Sequence, residues 1–343
     1  MHIATTVPTE DPSRSGELFA RLEAIGYDTA FSFEARHDPF LPLALASQTT
    51  TAMRLGTAVA IGFARNPMVL ANVGHDLQLM SRGRFVLGLG SQVRPHIQNR
   101  FSEEWSRPAA RMRELVLAIR AIWDCWADGS RLAFEGEFYH HTLMTPAFDP
   151  GPNPYGRPPV FVGGFGPRMI EAAGEVADGL IVHPFNSRRS LEELVVPALA
   201  RGRAAAAGRP PDAVELVWVM MVVTWSTDEE HEVAIASVKD QLAFYGSTPA
   251  YAPVLAIHGY DDLHADLNRL SKQGRWPEMA ALVPDDLVEA IAVVGSRREI
   301  APKIYERAAG ITDRVSLVNN RNPDPALFAD IVADLHSLGG ASA

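Results

Sequence analysis

The sequence predicts one (β/α)8 barrel with two insertions, and three observations predict it. Short apolar runs bounded by Gly, Pro or Asp alternate with longer amphipathic stretches, the pattern of strand-helix units around a buried parallel sheet. Eight such runs can be counted, the number that closes a barrel. The chain has 343 residues and is 47% hydrophobic, enough for a single large core. It is longer than the roughly 250 residues typical of this barrel, and insertions account for the excess.

In chain order the expected strands are 2–7, 29–34, 54–61, 85–91, 159–165, 179–184, 215–225 and 313–319. Helices are expected over 13–25, 40–52, 67–81 and 108–127, between the early strands. Asp38 is placed to cap the second helix, and Asn66-Pro67 to open the third. The first insertion covers about 131–158. Phe134-Glu135-Gly136-Glu137-Phe138-Tyr139 alternates like a small hairpin, and a loop rich in Pro and Gly follows through Pro159. The second covers about 246–312 and holds at least two extra helices. Residues 1–343 read as a single domain without a repeat; the one low-complexity tract is Ala204–Ala207.

The formal charge of -10 argues against a nucleic-acid surface, which needs clustered cations. Arg188-Arg189 does not reverse that. The start, Met1-His2-Ile3-Ala4, lacks the cationic and apolar blocks of a signal peptide, and no run is long enough to span a bilayer. Cys125 is the single cysteine, so no internal disulfide forms and a cytoplasmic location is expected. On a helix between tryptophans, it is expected to be an inert packing residue.

In such a barrel the reactive groups follow the strands. After the second strand, Glu34-Ala35-Arg36-His37-Asp38 places a carboxylate and a histidine at the mouth, where His37 can exchange a proton with a substrate. The plainer alternative is that Asp38 only caps and His37 is only exposed. In the third strand, Gly56-Thr57-Ala58 would let a flat ligand approach the backbone. The fourth ends Gly88-Leu89-Gly90-Ser91-Gln92-Val93-Arg94-Pro95-His96, a superficial nucleotide fingerprint without the third glycine. After the fifth, Gly163-Gly164-Phe165-Gly166-Pro167-Arg168 opens a helix and reads as an anion cradle, with Arg168 as counter-charge; a plain β-α turn would look similar. Trp218 and Met220 of the seventh strand are candidates for a substrate wall or for core. No metal motif closes a strand, and Gly-x-Ser-x-Gly is absent. The polar run His258 to Asp266 reads as a solvated helix.

Gly56-Thr57-Ala58-Val59, Arg65-Asn66-Pro67, Gly83 to Gly90 and Gly163 to Arg168 resemble, in order and over nearly the whole chain, the bacterial luciferase-like monooxygenase superfamily. The run Ser91-Gln92-Val93-Arg94-Pro95-His96 resembles its branch of oxidoreductases that use the deazaflavin coenzyme F-420. The resemblance implies a non-prolyl cis peptide at Ala58-Val59, in a bulge that props one face of the ring. It also implies Glu34, Ser91, Gln92 and His96 around the ring and ribityl chain, with the phosphate on Gly164, Phe165, Gly166, Pro167 and Arg168. Sugar-phosphate dehydrogenases of that branch carry Asp-His after strand two and a glutamate after strand four. Here Glu34-Ala35 and Gln92-Val93 stand instead, which leaves His37 as the catalytic proton donor to expect. The reading is hydride transfer with a small organic substrate in a homodimer, without metal, nucleic acid or membrane. The alternatives are an FMN-dependent two-component monooxygenase and a barrel that only binds a ligand.

Overall fold

A computed structural model describes residues 1–8, 10–206, 210, 214–318 and 328–340. The eight barrel strands are β1 (His2–Val7), β2 (Thr29–Ser32), β3 (Arg54–Thr57), β4 (Phe85–Gly90), β5 (Val160–Gly164), β6 (Gly179–Val182), β7 (Glu215–Trp225) and β8 (Arg314–Val318). Their order in the sheet follows their order in the chain, the topology of a (β/α)8 barrel. Packing divides the chain into two compact units. One comprises Thr6–Ile181 and Ala198–Glu215, the other Met1–Thr5, Val182–Pro197 and Leu216–Ala343.

In the first unit β2, β3, β4 and β5 pair in parallel, with Phe31 opposite Gly56, Gly56 opposite Val86 and Gly88 opposite Phe161. All six residues of β4 are buried, as strands covered on both faces require. Helices α1 (Ser15–Ile25), α2 (Phe40–Thr49), α3 (Pro67–Met80), α4 (Pro108–Asp128) and α5 (Pro167–Val176) follow their strands. Their starts obey local chemistry. The Val69 N–H donates to Asn66 Oδ1 at 2.9 Å ahead of Pro67, and the Phe40 N–H donates to Asp38 Oδ1 at 2.8 Å. Phe19, Phe31, Phe63, Phe85 and Phe161 are at most 1% exposed. Burial of each side chain contributes roughly 1.5–3 kcal/mol.

Three expectations about this unit change. The third strand is not continuous over 54–61: it stops at Thr57 and resumes at Ala60–Ile61. The second ends at Ser32 rather than at 34, because Phe33 and Glu34 turn away to serve that break. Gly56 does not leave room for a ligand: a Cβ there would lie 2.9 Å from the Phe31 ring and 3.0 Å from Val86 O, so the space is filled by core. The hairpin in the first insertion is present, with Phe134–Glu135 antiparallel to His140–His141. Cys125 is buried, and burial raises its thiol above the ordinary range, with Asp149 and Asp128 adding to the effect.

In the second unit β8 pairs with β1 (His2 opposite Arg314) and with β7 (Val217 opposite Arg314). The end of β7 gains a short extra parallel strand, Val293–Ser296. The expected insertion contains helices Ala252–Ile257, Asp261–Lys272, Trp276–Ala281, Asp285–Ile291 and Ile300–Ala308. Trp218 and Met220 are wholly buried, which makes them core. The sixth strand ends at Val182, two residues before the expected limit, and His183 therefore follows it directly. Among the described residues no helix is long and apolar enough to cross a membrane.

Candidate functional site at the ends of β2 to β5

The break in β3 is a bulge, and the peptide bond between Ala58 and Val59 within it is cis. Its backbone is tied to the end of β2: Ala58 N–H donates to Ser32 O at 2.8 Å and Glu34 N–H to Val59 O at 3.2 Å. The Glu34 carboxylate continues the attachment. Its Oε2 accepts from Ile61 N–H at 2.8 Å and from Arg65 Nη1 at 2.6 Å. Arg65 also donates to Asp38 Oδ2 at 2.9 Å and lies over the Phe40 ring, 5.4 Å from its centroid. Burial alone would lower the Arg65 pKa, but hydrogen bonds and charges from Glu34 and Asp38 outweigh it and raise the group. The pair is a latch that fixes where the bulge begins and ends.

The bulge needs room, and glycines on the neighbouring strands supply it. A Cβ on Gly90 would collide with the Val59 side chain, one on Gly163 would stand 2.9 Å from Val59 Cγ1, and one on Gly88 would collide with Thr57 O. Thr57 Oγ1 seals this contact, donating to Gly88 O at 2.6 Å and accepting from Gly88 N–H at 2.9 Å. Val59 is thus lodged against the ends of β4 and β5. Glu34, Ala58 and Val59 come together there, with Ser91 and Gly164 each one residue from a glycine that makes way for Val59.

Beyond β4 the chain turns sharply. Gln92 has φ +58°, a left-handed conformation that costs a non-glycine residue about 1 kcal/mol or more. Its own Oε1 steadies it by accepting from Val93 N–H at 3.0 Å, and Ser91 Oγ donates to Gln92 O at 3.0 Å. His96 is exposed at the start of the wide turn His96–Arg100. Arg100 ties this loop to the one after β2 by donating to Ala35 O at 3.0 Å.

Past β5, Gly166 caps α5 without any side-chain hydrogen bond, Pro167 occupies the first turn, and Arg168 is exposed. A Cβ built on Gly166 meets nothing within 4 Å. This helix start therefore presents open backbone and positive dipole, the two features an anion requires. Helix start, turn at Gln92 and bulge fit a ligand with a flat body and an anionic tail.

His37 is exposed, and its Nε2 lies 3.1 Å from Glu10 O. A carbonyl only accepts, so Nε2 donates to it, and Nδ1 is the ring nitrogen left for proton exchange with a substrate. Asp38 performs the capping anticipated for it, and adds the bond to Arg65. Two features escaped the sequence: the Arg65–Glu34 latch, and the glycines of β4 and β5 as clearance for one valine. The pairing of Arg65 with a carboxylate 31 positions earlier has no local signal.

A family profile described as luciferase-like monooxygenase matches residues 2–314. An uncharacterized protein of Mycobacterium tuberculosis is 51% identical over 303 residues, 88% of this chain and 89% of that protein. A second M. tuberculosis protein, provisionally named a coenzyme F-420-dependent oxidoreductase, is 29% identical over 88% of this chain and 90% of its own length. Among solved structures, the coenzyme F-420-dependent tetrahydromethanopterin reductase of Methanopyrus kandleri superposes with a TM-score of 0.77 at 22% identity, covering 96% and 97% of the two chains. The EDTA monooxygenase of a Chelativorans species superposes with a TM-score of 0.72 at 16% identity, covering 99% and 94%.

Proposed function

The chain belongs to the luciferase-like monooxygenase family, and from that premise we propose that it is an oxidoreductase that uses the deazaflavin coenzyme F-420 on a small organic substrate. The observation that carries this reading is the break in β3, where Val59 seats against Gly90 and Gly163 beside an uncapped helix start. The relative at 29% identity favours the deazaflavin. When bound, that coenzyme supplies hydride chemistry at a ring carbon.

The protein's part is binding, orientation and proton management. The Ala58-Val59 backbone offers a flat support. The segment Gly164, Phe165, Gly166, Pro167 and Arg168 holds the anionic tail, through backbone N–H groups other than that of Pro167, which has none, and through the guanidinium charge. Ser91, Gln92 and His96 border the ring and its polar chain. Glu34 acts here through the bulge, since its Oε2 is committed to Ile61 and Arg65. His37, or a water, handles the proton exchanged with the substrate. Fluorescence titration with F-420 and, separately, with FMN tests the assignment. Tight F-420 binding is expected; FMN binding with no F-420 response overturns it in favour of an FMN-dependent monooxygenase. That second reading has its own support in the monooxygenase neighbour. Cofactor binding without turnover by any reductant or acceptor would leave a ligand-binding barrel.

The working unit is proposed to be a homodimer joined through α2. This helix is apolar almost all round, and Leu41 and Leu45, one turn apart, are 62% and 44% exposed.

A further inference from the structure

The second unit contains a polar pair set among aromatic rings at a strand end. His183 immediately follows β6, at the strand terminus where this fold places reactive groups. Its Nε2 lies 3.1 Å from Tyr251 Oη, and Phe185 N–H donates to its Nδ1 at 3.1 Å. The imidazole stacks on the Tyr251 ring at 4.7 Å and meets the edge of Tyr245, also at 4.7 Å. Tyr245 and Tyr251 each keep part of their surface exposed, while Phe185 behind them is wholly buried.

The backbone fixes the tautomer. A backbone N–H can only donate, so Nδ1 must be the bare nitrogen and Nε2 carries the proton. Burial holds the ring neutral by pushing His183 down to about 3. Nε2–H therefore donates to Tyr251 Oη, and the phenolic proton is turned away from the histidine. Whatever acceptor that proton serves in the ligand-free chain, an incoming oxygen can compete for it. A phenol that accepts one hydrogen bond becomes a better donor in the next.

We propose that Tyr251, oriented by His183, is a substrate-binding hydrogen-bond donor, and that it selects a carbonyl compound with a flat apolar flank. The oxygen accepts a hydrogen bond from the phenol, while the partly exposed Tyr245 ring suits the flank. Tyr251 would touch the substrate; His183 is a positioning residue. The inference rests on the oxidoreductase reading and names the substrate class for it.

The test uses the full chain with acetophenone as probe. Nitrogen-15 NMR of the histidine side chains at pH 7 should show His183 protonated at Nε2 and bare at Nδ1; the opposite tautomer overturns the proposal. Acetophenone should shift the His183 and Tyr251 resonances of the wild type, and the absence of a shift also overturns it. Tyr251→Phe should weaken the ketone about tenfold, the loss of one hydrogen bond, with unchanged F-420 affinity. His183→Ala should do the same, and His183→Gln, whose amide can donate to the phenol, should recover part of the loss. Equal ketone affinity in Tyr251→Phe and wild type refutes the assignment. Failure of the wild type to bind F-420 would instead remove the oxidoreductase reading, and the ketone titration reads independently of it.

Discussion

Replacing Arg65 by alanine tests whether a buried ion pair holds the bulge. The Glu34 side chain is 6% exposed and Arg65 15%, whereas Asp38, on the other arm of the guanidinium, is 40% exposed. Without Arg65, the Glu34 carboxylate is left in a dry site with the Ile61 N–H, a situation that costs about 3–5 kcal/mol. Asp38→Asn keeps an Oδ1 acceptor for Phe40 N–H and removes only the charge of an exposed ion pair, worth about 1 kcal/mol or less. Unfolding entropy of roughly 2.1 cal/mol/K per residue, over 343 residues, amounts to about 0.7 kcal/mol/K. A loss of ~3 kcal/mol then lowers Tm by about 4 °C, and a loss of ~1 kcal/mol by about 1.5 °C. Differential scanning calorimetry separates the two. Adding Glu34→Gln to Arg65→Ala removes the stranded charge, so the double variant should be more stable than the additive expectation. If Arg65→Ala unfolds within about 1 °C of Asp38→Asn, the latch does not exist in the form described.

Gly90→Ala puts a methyl group into the Val59 side chain; it should cost about 1–3 kcal/mol and reduce cofactor affinity, read by urea unfolding and fluorescence titration. Gly166→Ala meets open space, so its stability should stay within about 0.5 kcal/mol of wild type while an anionic ligand binds less tightly. The double change Leu41→Asp with Leu45→Asp should convert a dimer to a monomer in light scattering; an unchanged mass rejects α2 as the interface. His183 has a folded pKa of about 3 against 6.5 unfolded, so the unfolded chain binds more protons between those values and stability falls as pH falls through that window. His183→Gln should flatten the fall by up to ~1.4 kcal/mol per pH unit, measured as urea midpoints at pH 7, 6 and 5; identical slopes would refute it.

Period and punctuation made the fold legible. The alternation of apolar runs with amphipathic stretches located all eight strands and the first four helices, because each is specified locally by pattern and by residues such as Asn66, Pro67 and Pro108. Errors fell where tertiary geometry decides. Expected strands over 29–34 and 179–184 ran too long, since Phe33 and Glu34 serve the bulge and His183 turns into an aromatic cluster. The eighth expected strand reaches 319, which lies outside the described residues. His183 was hidden by that overrun, and its partner Tyr251 lies 68 positions away, beyond any local signal.

The glycines of β4 show how a local reading of a motif misleads. As a string, Gly88-Leu89-Gly90 looks like a loop built to cradle a nucleotide phosphate. In the fold both glycines lie inside a strand, and their missing side chains make way for Thr57 and Val59 of the next strand. Thr57 Oγ1 spends its one donor on Gly88 O and accepts from Gly88 N–H, so it has no proton to offer a ligand. The helix start proposed to receive the anion lies one strand further on, after Gly164, where no side chain caps it. In the binding mode proposed above, phosphate recognition and ring support would reside on different strands, joined by Val59 resting against Gly163. A change at Gly163 should therefore disturb both, whereas a change at Gly166 should disturb the anion alone.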